Sequence, residues 1–172
     1  FSYDGTRFDD DIFHGCTVIY ESGLKWQLAK KYLTPERCER YEYVFFWDDD
    51  IDIGDFSCSD FLEIARRNHL EIFQPALSKQ SYPTFPITVQ DERYAYGRYT
   101  DYVEIMVTVF TAAAWKKFYA MVESDYNFWG WGYERLAKSM CGFANMGIID
   151  AQVVTHQRPP QGHHLLQRRH RL

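Results

Sequence analysis

Residues 41–50 read YEYVFFWDDD, a run of apolar and aromatic side chains that passes directly into three aspartates. The run predicts a strand over 41–47, and its continuous end, VFFW, predicts burial on both faces, as in a sheet covered by helices. In α/β sheets, ligands gather beyond the carboxyl ends of the strands. The aspartates that follow Trp47 are therefore the first candidate site.

The rest of the chain alternates short apolar runs with segments of helical periodicity. Runs typical of strands occur over 1–3, 16–20, 70–73, 104–110 and 147–154. Apolar residues recur at helical spacing over 23–33, 59–68, 111–122 and 133–144. This alternation predicts an α/β domain with a mostly parallel sheet flanked by helices.

The sequence also predicts N-terminal caps and buried faces for some of these helices. Ser59 and Thr111 are expected to accept hydrogen bonds from the first turns that follow them. Helical spacing predicts two shared faces, one formed by Trp115, Phe118 and Val122 and the other by Leu136, Met140 and Ala144.

Composition narrows the class of protein. The 172 residues fit one domain with a sizeable core, which we place at 1–160, followed by a basic tail at 161–172. With a net charge of −5, the protein has no overall positive field to attract a polyanion, so the charge disfavours binding of nucleic acid. The four cysteines form no CxxC pair, so a cysteine zinc site is disfavoured. No apolar run approaches the ~20 residues that a membrane span needs.

The acidic triplet predicts a metal site. Residues two apart on an extended backbone point the same way, so Asp48 and Asp50 are expected to converge. Their mutual repulsion and partial burial predict a raised pKa for at least one aspartate when no cation neutralises them. Hard oxygen ligands suit Mn²⁺ or Mg²⁺ held together with substrate phosphates. The alternative is an acidic surface loop, since aspartate is common in turns.

A histidine near the end of the chain is the candidate third ligand. His156 lies just past the predicted late strand, in VVTHQRP. A strand-end position would bring its imidazole to the same edge as Asp48 and Asp50. The alternative is a structural or surface histidine.

Residues 128–134 read FWGWGYE, an alternation of Trp and Gly that generic structure rarely needs. It predicts a loop whose indoles, Trp129 and Trp131, stack on a sugar or close over a ligand. Glu134 follows at the start of a helix, where it is either a favourable helix charge or a base for an acceptor hydroxyl. The alternative for both indoles is core packing.

Taken in order, several segments resemble a known group of proteins. WDDDI, GWGYE and VTHQ are similar to motifs of GT-A-fold glycosyltransferases, whose fold is Rossmann-like. A closer resemblance is to a plant-rich family labelled lysine-ketoglutarate-reductase trans-splicing related, itself thought GT-A-like. Its matching pieces cover most of the chain: FSYDG, KWQLAKKYL-P, YEYVFFWDDDI, LEIFQPAL, ITV, VEIMVTVF-AAW, GWGYE and NMGIIDAQVVTHQ.

The resemblance implies roles for residues around the acidic triplet. Asp50 and His156 would ligate the metal, and Asp48 would meet the metal or the nucleotide ribose. Lys25 and Asp4 would contact the nucleotide. The first strand of a GT-A domain would precede Phe1.

The remaining assignments concern the acceptor side. Glu134 would act on the acceptor, and Asp49 is taken as a second candidate catalytic carboxylate. Glu104 is a candidate substrate-binding residue beside Trp129 and Trp131.

The leading hypothesis is a metal-dependent glycosyltransferase that moves a sugar from a nucleotide-sugar donor to a glycan or another hydroxyl acceptor. A UDP-sugar is expected as donor rather than a GDP-sugar. One alternative is a non-catalytic carbohydrate-binding module on the same fold. Another is a metal-dependent phosphoesterase, which would normally need more acidic and histidine ligands than Asp48, Asp50 and His156.

Overall fold

The computed structural model describes residues 1–3, 6–7, 15–82, 85–123 and 125–157. The helices are α1 (Lys25–Tyr32), α2 (Pro35–Cys38), α3 (Cys58–Arg67), α4 (Ala112–Met121) and α5 (Tyr133–Cys141), with a short 3-10 helix at Pro86–Thr88. The strands are β1 (Tyr43–Trp47), β2 (Ile51–Asp52), β3 (Ile72–Leu77), β4 (Arg98–Tyr99), β5 (Val107–Thr111) and β6 (Met146–His156). The predicted tail at 161–172 lies outside the described residues.

The sheet is mixed, so the prediction of a mostly parallel sheet is wrong. Its strand order is β1-β5-β3-β6-β2, and β4 pairs with β6. Only β3 and β6 pair in parallel, whereas every other pairing of named strands in the described chain is antiparallel. A parallel return needs a long crossover, usually a helix. No α-helix lies between β3 and β5 in the described residues, and β5 runs back antiparallel beside β3.

The strand directions nevertheless gather several chain ends at one edge. Because β1 and β3 both run antiparallel to β5, and β6 runs parallel to β3, these three strands point the same way. Trp47, Leu77 and His156 therefore end their strands at a common edge, which we call the carboxyl edge. β5 begins at this edge with Val107, and residues 48–50 connect β1 with β2 there.

Helices cover both faces of the sheet, as an α/β fold requires. On one face, α1, α4 and α5 bury an aromatic cluster that includes Trp26, Phe46, Phe110, Trp115 and Phe118. On the other face, α3 packs Phe61 and Ala65 against β-strand residues Phe73, Val109 and Ile149. The predicted shared face of Trp115, Phe118 and Val122 is confirmed, since each side chain is buried.

β1 is less enclosed than its sequence predicts. Val44 and Phe46 are buried, but Phe45 remains 36% exposed although its ring lies against Phe61. β1 pairs only with β5 among the described strands and thus forms one end of the sheet. Burial of VFFW on both faces is therefore wrong at Phe45, because an end strand is only partly covered by α3.

Local boundaries differ from the predictions in two places. Residues 16–20 form no strand, and only Tyr20 makes a bridge, to Ser2. Ser57, not Ser59, caps α3, because the Ser57 hydroxyl accepts a hydrogen bond from the Asp60 N–H. The Ser57 N–H in turn donates to the side-chain oxygen of Gln152. The predicted capping by Thr111 is confirmed.

The inward face of α5 was also predicted wrongly. The exposed fractions of Leu136 and Met140 are 46% and 62%, and Ala144 follows the helix. Tyr133 and Ala137 are buried instead. The offset of one position follows from the packing of Tyr133 edge-on against Trp26.

A proline interrupts the parallel ladder at the centre of the sheet. Pro75 pairs with Ile149, but the next residue, Ala76, pairs with Val153, so residues 150–152 of β6 bulge out of register. Pro75 has no N–H to donate, and proline within sheets is found at such irregularities. We call residues 150–152 the β6 bulge.

The β6 bulge anchors the long connection between β3 and β4. Asp150, 1% exposed, accepts hydrogen bonds from the Asp91 N–H and from the Arg98 guanidinium, which also donates to the Ile87 and Val89 carbonyls. The Ala151 N–H donates to the Tyr96 carbonyl.

Within the described residues, no helix has the length and apolar content needed to cross a membrane.

Gly97 is the point of closest approach between this connection and β6. A Cβ at Gly97 would lie 2.4 Å from the Ile148 carbonyl oxygen and 2.9 Å from the Ile149 Cα, both backbone atoms that move only with the strand. We predict that Gly97→Ala lowers the free energy of unfolding by about 1–3 kcal/mol. Urea denaturation followed by circular dichroism measures this loss.

Gly147→Ala is the matched control, since Gly147 lies on β6 opposite Tyr99 of β4. Its Cβ would meet the ends of the Leu70 side chain at 2.8 and 2.9 Å, which a rotamer change relieves more readily than backbone movement. An equal or larger loss in Gly147→Ala would contradict the close backbone approach at Gly97.

Candidate functional site at the carboxyl edge

Asp50 and His156 are in direct contact at the carboxyl edge. β2 pairs with the end of β6 so that Ile51 lies opposite His156, and the Gln157 N–H donates to the Asp50 carbonyl. This register places His156 Nε2 3.2 Å from Asp50 Oδ2. The prediction that His156 reaches the same edge as the acidic triplet is therefore confirmed.

Asp48 is held by a lysine from α1. Lys25 Nζ lies 2.5 Å from Asp48 Oδ1 and also donates to the Ile105 carbonyl at 2.7 Å. The two side chains are only partly exposed, 24% for Lys25 and 37% for Asp48. Since Ile105 lies just before β5, this one ammonium joins α1, the end of β1 and the start of β5.

Burial and charge shift the pKa values of this pair. Burial raises the pKa of Asp48, and the neighbouring carboxylates of Asp50 and Asp49 raise it further against the opposing effect of Lys25. The predicted raised pKa within the triplet is thus confirmed for Asp48. Burial lowers the pKa of Lys25, whereas Asp48, Asp50 and Glu104 act to raise it.

Asp49 lies in the turn after β1 and bonds to a residue outside the acidic triplet. It is exposed, and its Oδ2 accepts a hydrogen bond of 2.9 Å from the Tyr3 hydroxyl. A catalytic role for Asp49 stays a prediction. Asp4, the candidate nucleotide contact, lies outside the described residues.

The donor atoms at this edge only partly fit a divalent cation. Asp50 Oδ2 and His156 Nε2 face each other at 3.2 Å, a separation that two ligands of one cation can have. Asp50 Oδ1 and His156 Nδ1 are buried atoms without a hydrogen-bond partner in the described part of the chain, but Nδ1 lies on the side of the ring that faces away from Asp50. Their oxygen and imidazole chemistry suits Mn²⁺. Asp48, however, already pairs with Lys25, and no group of three or more His, Cys, Asp or Glu in the described residues is arranged to hold a metal.

A second group of carboxylates lies close to Lys25. The fully buried Gln74 side chain accepts the Glu104 N–H at 2.5 Å and so sets the position of that residue before β5. The Tyr102 hydroxyl lies 3.5 Å from Glu104 Oε2. Burial raises the pKa of Tyr102, and the charges of Glu104 and Glu134 raise it further.

Glu134 lies close enough to Tyr102 for its charge to raise the pKa of that phenol. Glu134 also stands in the first turn of α5, and its Oε2 accepts the Gly132 N–H at 3.1 Å. This contact is the helix-start role that the sequence left open. A role toward a substrate hydroxyl stays a prediction.

The Trp-Gly segment packs through its glycines and exposes its indoles. A Cβ at Gly130 would lie 2.1 Å from Nε1 of Trp26, the neighbour of Lys25, so the loop backbone rests on that buried ring. Trp129 is 52% exposed and Trp131 is 79% exposed. The interpretation of both indoles as core packing is therefore wrong, while stacking on a sugar remains a prediction.

Sequence reasoning missed three residues that shape the site. They are Trp26, which supports the Trp-Gly loop, Gln74, which positions Glu104, and Tyr102, which lies between Glu104 and Glu134. A buried polar residue in an otherwise apolar strand, IFQPAL, was the available signal for Gln74. Trp26 and Tyr102 carry no comparable signal, since aromatic residues are common in cores.

The fold and the carboxyl edge together define the class of protein. It is an α/β domain whose mixed sheet brings carboxylates, a histidine and a paired lysine together at one end of its strands. The chain belongs to the family described as Protein of unknown function (DUF707), whose model matches residues 1–170. Comparison with curated proteins and with solved structures found no match.

The contact between Gly130 and Trp26 yields a test of the loop. Gly130 and Gly132 both have positive φ, at 76° and 91°, so alanine at either position carries a backbone cost of about 1–2 kcal/mol. Only the Gly130 Cβ would also collide with an indole, since nothing lies within 4 Å of the Gly132 position. We predict that Gly130→Ala loses more stability and displaces the loop from Trp26.

Thermal unfolding gives the stability difference, and quenching of tryptophan fluorescence by iodide reports exposure of the indoles. Gly132→Ala is the matched control for the backbone cost. Equal losses in the two variants, with unchanged quenching, would show that the loop does not rest on Trp26.

Proposed function

We propose that this domain is a metal-dependent glycosyltransferase of GT-A-like fold, which moves a sugar from a nucleotide-sugar donor to a hydroxyl acceptor. The observation that carries the proposal is the meeting of Asp50 and His156, 3.2 Å apart, beside the Lys25–Asp48 pair. An edge that combines oxygen and imidazole atoms with an ammonium group suits a diphosphate bound together with a cation.

We assign binding of the nucleotide-sugar donor to the acidic triplet and to the residues that contact it. Asp50 and His156 would hold Mn²⁺ or Mg²⁺ through the two atoms that face each other, Asp50 Oδ2 and His156 Nε2. When bound, the cation would stabilise negative charge on the leaving diphosphate. Lys25 would bind the diphosphate, since an ammonium group is a compact phosphate partner. A UDP-sugar is the donor that we expect.

The acceptor side is assigned to the Trp-Gly loop and the start of α5. The exposed rings of Trp129 and Trp131 have centroids 6.5 Å apart and planes inclined by 32°, which leaves ring surface free for a sugar. Glu134 would take the proton of the acceptor hydroxyl, and Glu104 would hydrogen-bond the substrate nearby. The raised pKa of Tyr102 keeps that phenol protonated, so it would serve as a donor between the two carboxylates.

One observation favours a second candidate function. Lys25 already neutralises Asp48, so the edge is stable without a cation, while the two indoles remain exposed. A carbohydrate-binding module that has no transferase activity would have these features. The two functions differ in nucleotide binding, which only the transferase needs.

Metal-dependent nucleotide binding is the deciding experiment. A ligand that binds only the folded state stabilises it by about 2.7 kcal/mol at 100 times its Kd, which for a chain of this size raises Tm by roughly 5–10 °C. We predict such a shift for UDP or a UDP-sugar with Mn²⁺, and its loss in Asp50→Ala. Differential scanning fluorimetry measures both.

Asp52→Ala is the control for this panel, because Asp52 lies on β2 only two residues from Asp50, is exposed and contacts the Gly54 N–H. It should keep the nucleotide shift. A panel of nucleotides that produces no shift in the wild-type protein, together with a shift from oligosaccharides alone, would favour the binding module.

The substitution Glu134→Gln separates the proposed role of Glu134 as a catalytic base from its contact with the Gly132 N–H at the start of α5. Glutamine keeps the size and an oxygen for the Gly132 N–H but removes the proton acceptor, so we predict that transfer falls by about 10²–10⁴-fold while the nucleotide shift persists. Glu36→Gln is the matched control, since Glu36 occupies the first turn of α2 as Glu134 does in α5. Transfer by Glu134→Gln at the wild-type rate would remove Glu134 from the mechanism.

A further inference from the structure

The segment that carries the two exposed indoles is held in one shape by its own hydrogen bonds. The Gly130 N–H donates to the Asn127 carbonyl at 3.0 Å, and the Asn127 side-chain amide donates to the Trp131 carbonyl at 3.0 Å. The Tyr133 N–H, at the start of α5, donates to the Gly130 carbonyl at 3.1 Å. Gly130 also rests on the buried Trp26 ring, so the indoles stand on a fixed loop.

Each of the two indoles keeps an open surface. Trp129 is 52% exposed, and Trp131 is 79% exposed although the two ring centroids are only 6.5 Å apart. The ring planes are inclined to each other by 32°. One flat sugar ring can lie parallel to only one of two planes that are inclined in this way. Trp129 and Trp131, which we call the indole platform, therefore offer two separate stacking surfaces beside each other.

The charge of this segment limits what can occupy the indole platform. Residues 123–134 contain three carboxylates, Glu123, Asp125 and Glu134, and no lysine, arginine or histidine. Stacking of nucleic-acid bases is normally combined with a positively charged groove, and anionic membrane surfaces attract basic segments. Neither partner suits an acidic segment. A neutral glycan does, because its sugar rings present C–H groups to the indoles and its hydroxyls donate hydrogen bonds to carboxylates.

The position of Glu134 gives the indole platform a direction. Glu134 Oε2 accepts the Gly132 N–H at 3.1 Å, which anchors the carboxylate at the residue that follows Trp131. In the proposed function, Glu134 takes the proton of the acceptor hydroxyl. The sugar that carries this hydroxyl therefore belongs on Trp131, and the sugar before it in the glycan belongs on Trp129.

We propose that the indole platform binds a glycan through two consecutive sugar rings, the reacting ring stacked on Trp131 and the next ring on Trp129. This inference rests on the proposed function and identifies its acceptor as an oligosaccharide rather than a single sugar. Because the platform is formed before any ligand arrives, the glycan should bind without nucleotide or metal. The second stacked ring should tighten binding by about tenfold.

Titration of the protein with sugars of increasing length tests the proposal. The probes are glucose, galactose, mannose and N-acetylglucosamine with their di- and trisaccharides, and isothermal titration calorimetry gives each Kd without nucleotide or Mn²⁺. In at least one series, the disaccharide should bind about tenfold more tightly than the monosaccharide, and the trisaccharide should add little. A panel in which no disaccharide gains affinity over its monosaccharide overturns the proposal.

Alanine variants assign the two rings. Trp129→Ala should bind the disaccharide only as tightly as the wild-type protein binds the monosaccharide, whereas Trp131→Ala should weaken binding of both sugars by about tenfold. Tyr126→Ala is the matched control, since Tyr126 is 90% exposed on the same segment, and it should bind both sugars as the wild-type protein does. A Trp129→Ala protein that binds the disaccharide with wild-type affinity would contradict the two-ring platform.

The results separate this inference from the transferase itself. If the disaccharide gains affinity through Trp129 while UDP and Mn²⁺ produce no thermal shift, the transferase fails and the platform belongs to a carbohydrate-binding module. If the nucleotide shift appears without any gain from a second sugar ring, the platform fails and the transferase stands.

Discussion

The absence of an N–H at Pro75 constrains the centre of the sheet, where β3 and β6 form the only parallel pair of named strands in the described chain. The ladder breaks after this residue, and β6 accommodates the break by bulging at 150–152. That bulge presents Asp150 to Arg98 and to the Asp91 N–H, which fastens the connection between β3 and β4 to the sheet. Beyond the bulge, β6 returns to pairing with Leu77 and brings His156 to the carboxyl edge.

The carboxyl edge depends on strand direction rather than on parallel pairing. β5 runs antiparallel to its neighbours, but β1, β3 and β6 still end on the same side of this mixed sheet. The short connection at 48–50 then passes from β1 to β2, which pairs with the end of β6. Asp50 meets His156 for this reason, although 106 positions separate them in sequence.

Local sequence rules predicted the acidic edge well and its internal pairing poorly. Alternation along an extended backbone predicted that Asp48 and Asp50 share a side, and burial and mutual repulsion predicted a raised pKa for at least one of the three aspartates, which is Asp48. The partner of Asp48 was not predictable in this way. Lys25 was assigned to a nucleotide through resemblance, and its contact with Asp48 spans 23 positions and arises from the docking of α1 beside β1.

What the sequence alone determined is what short-range physics controls: the strand before the aspartates, the cap at Thr111, a late strand just before His156 and the glycine-dependent turn at Trp129–Gly132. Tertiary structure decided the direction of β5, the exposure of Phe45 and of the two indoles, and the partners of Asp48 and Glu104. Periodicity reports which residues share a face of one element. Only packing between elements distant in sequence decides which face meets water and which charges meet one another.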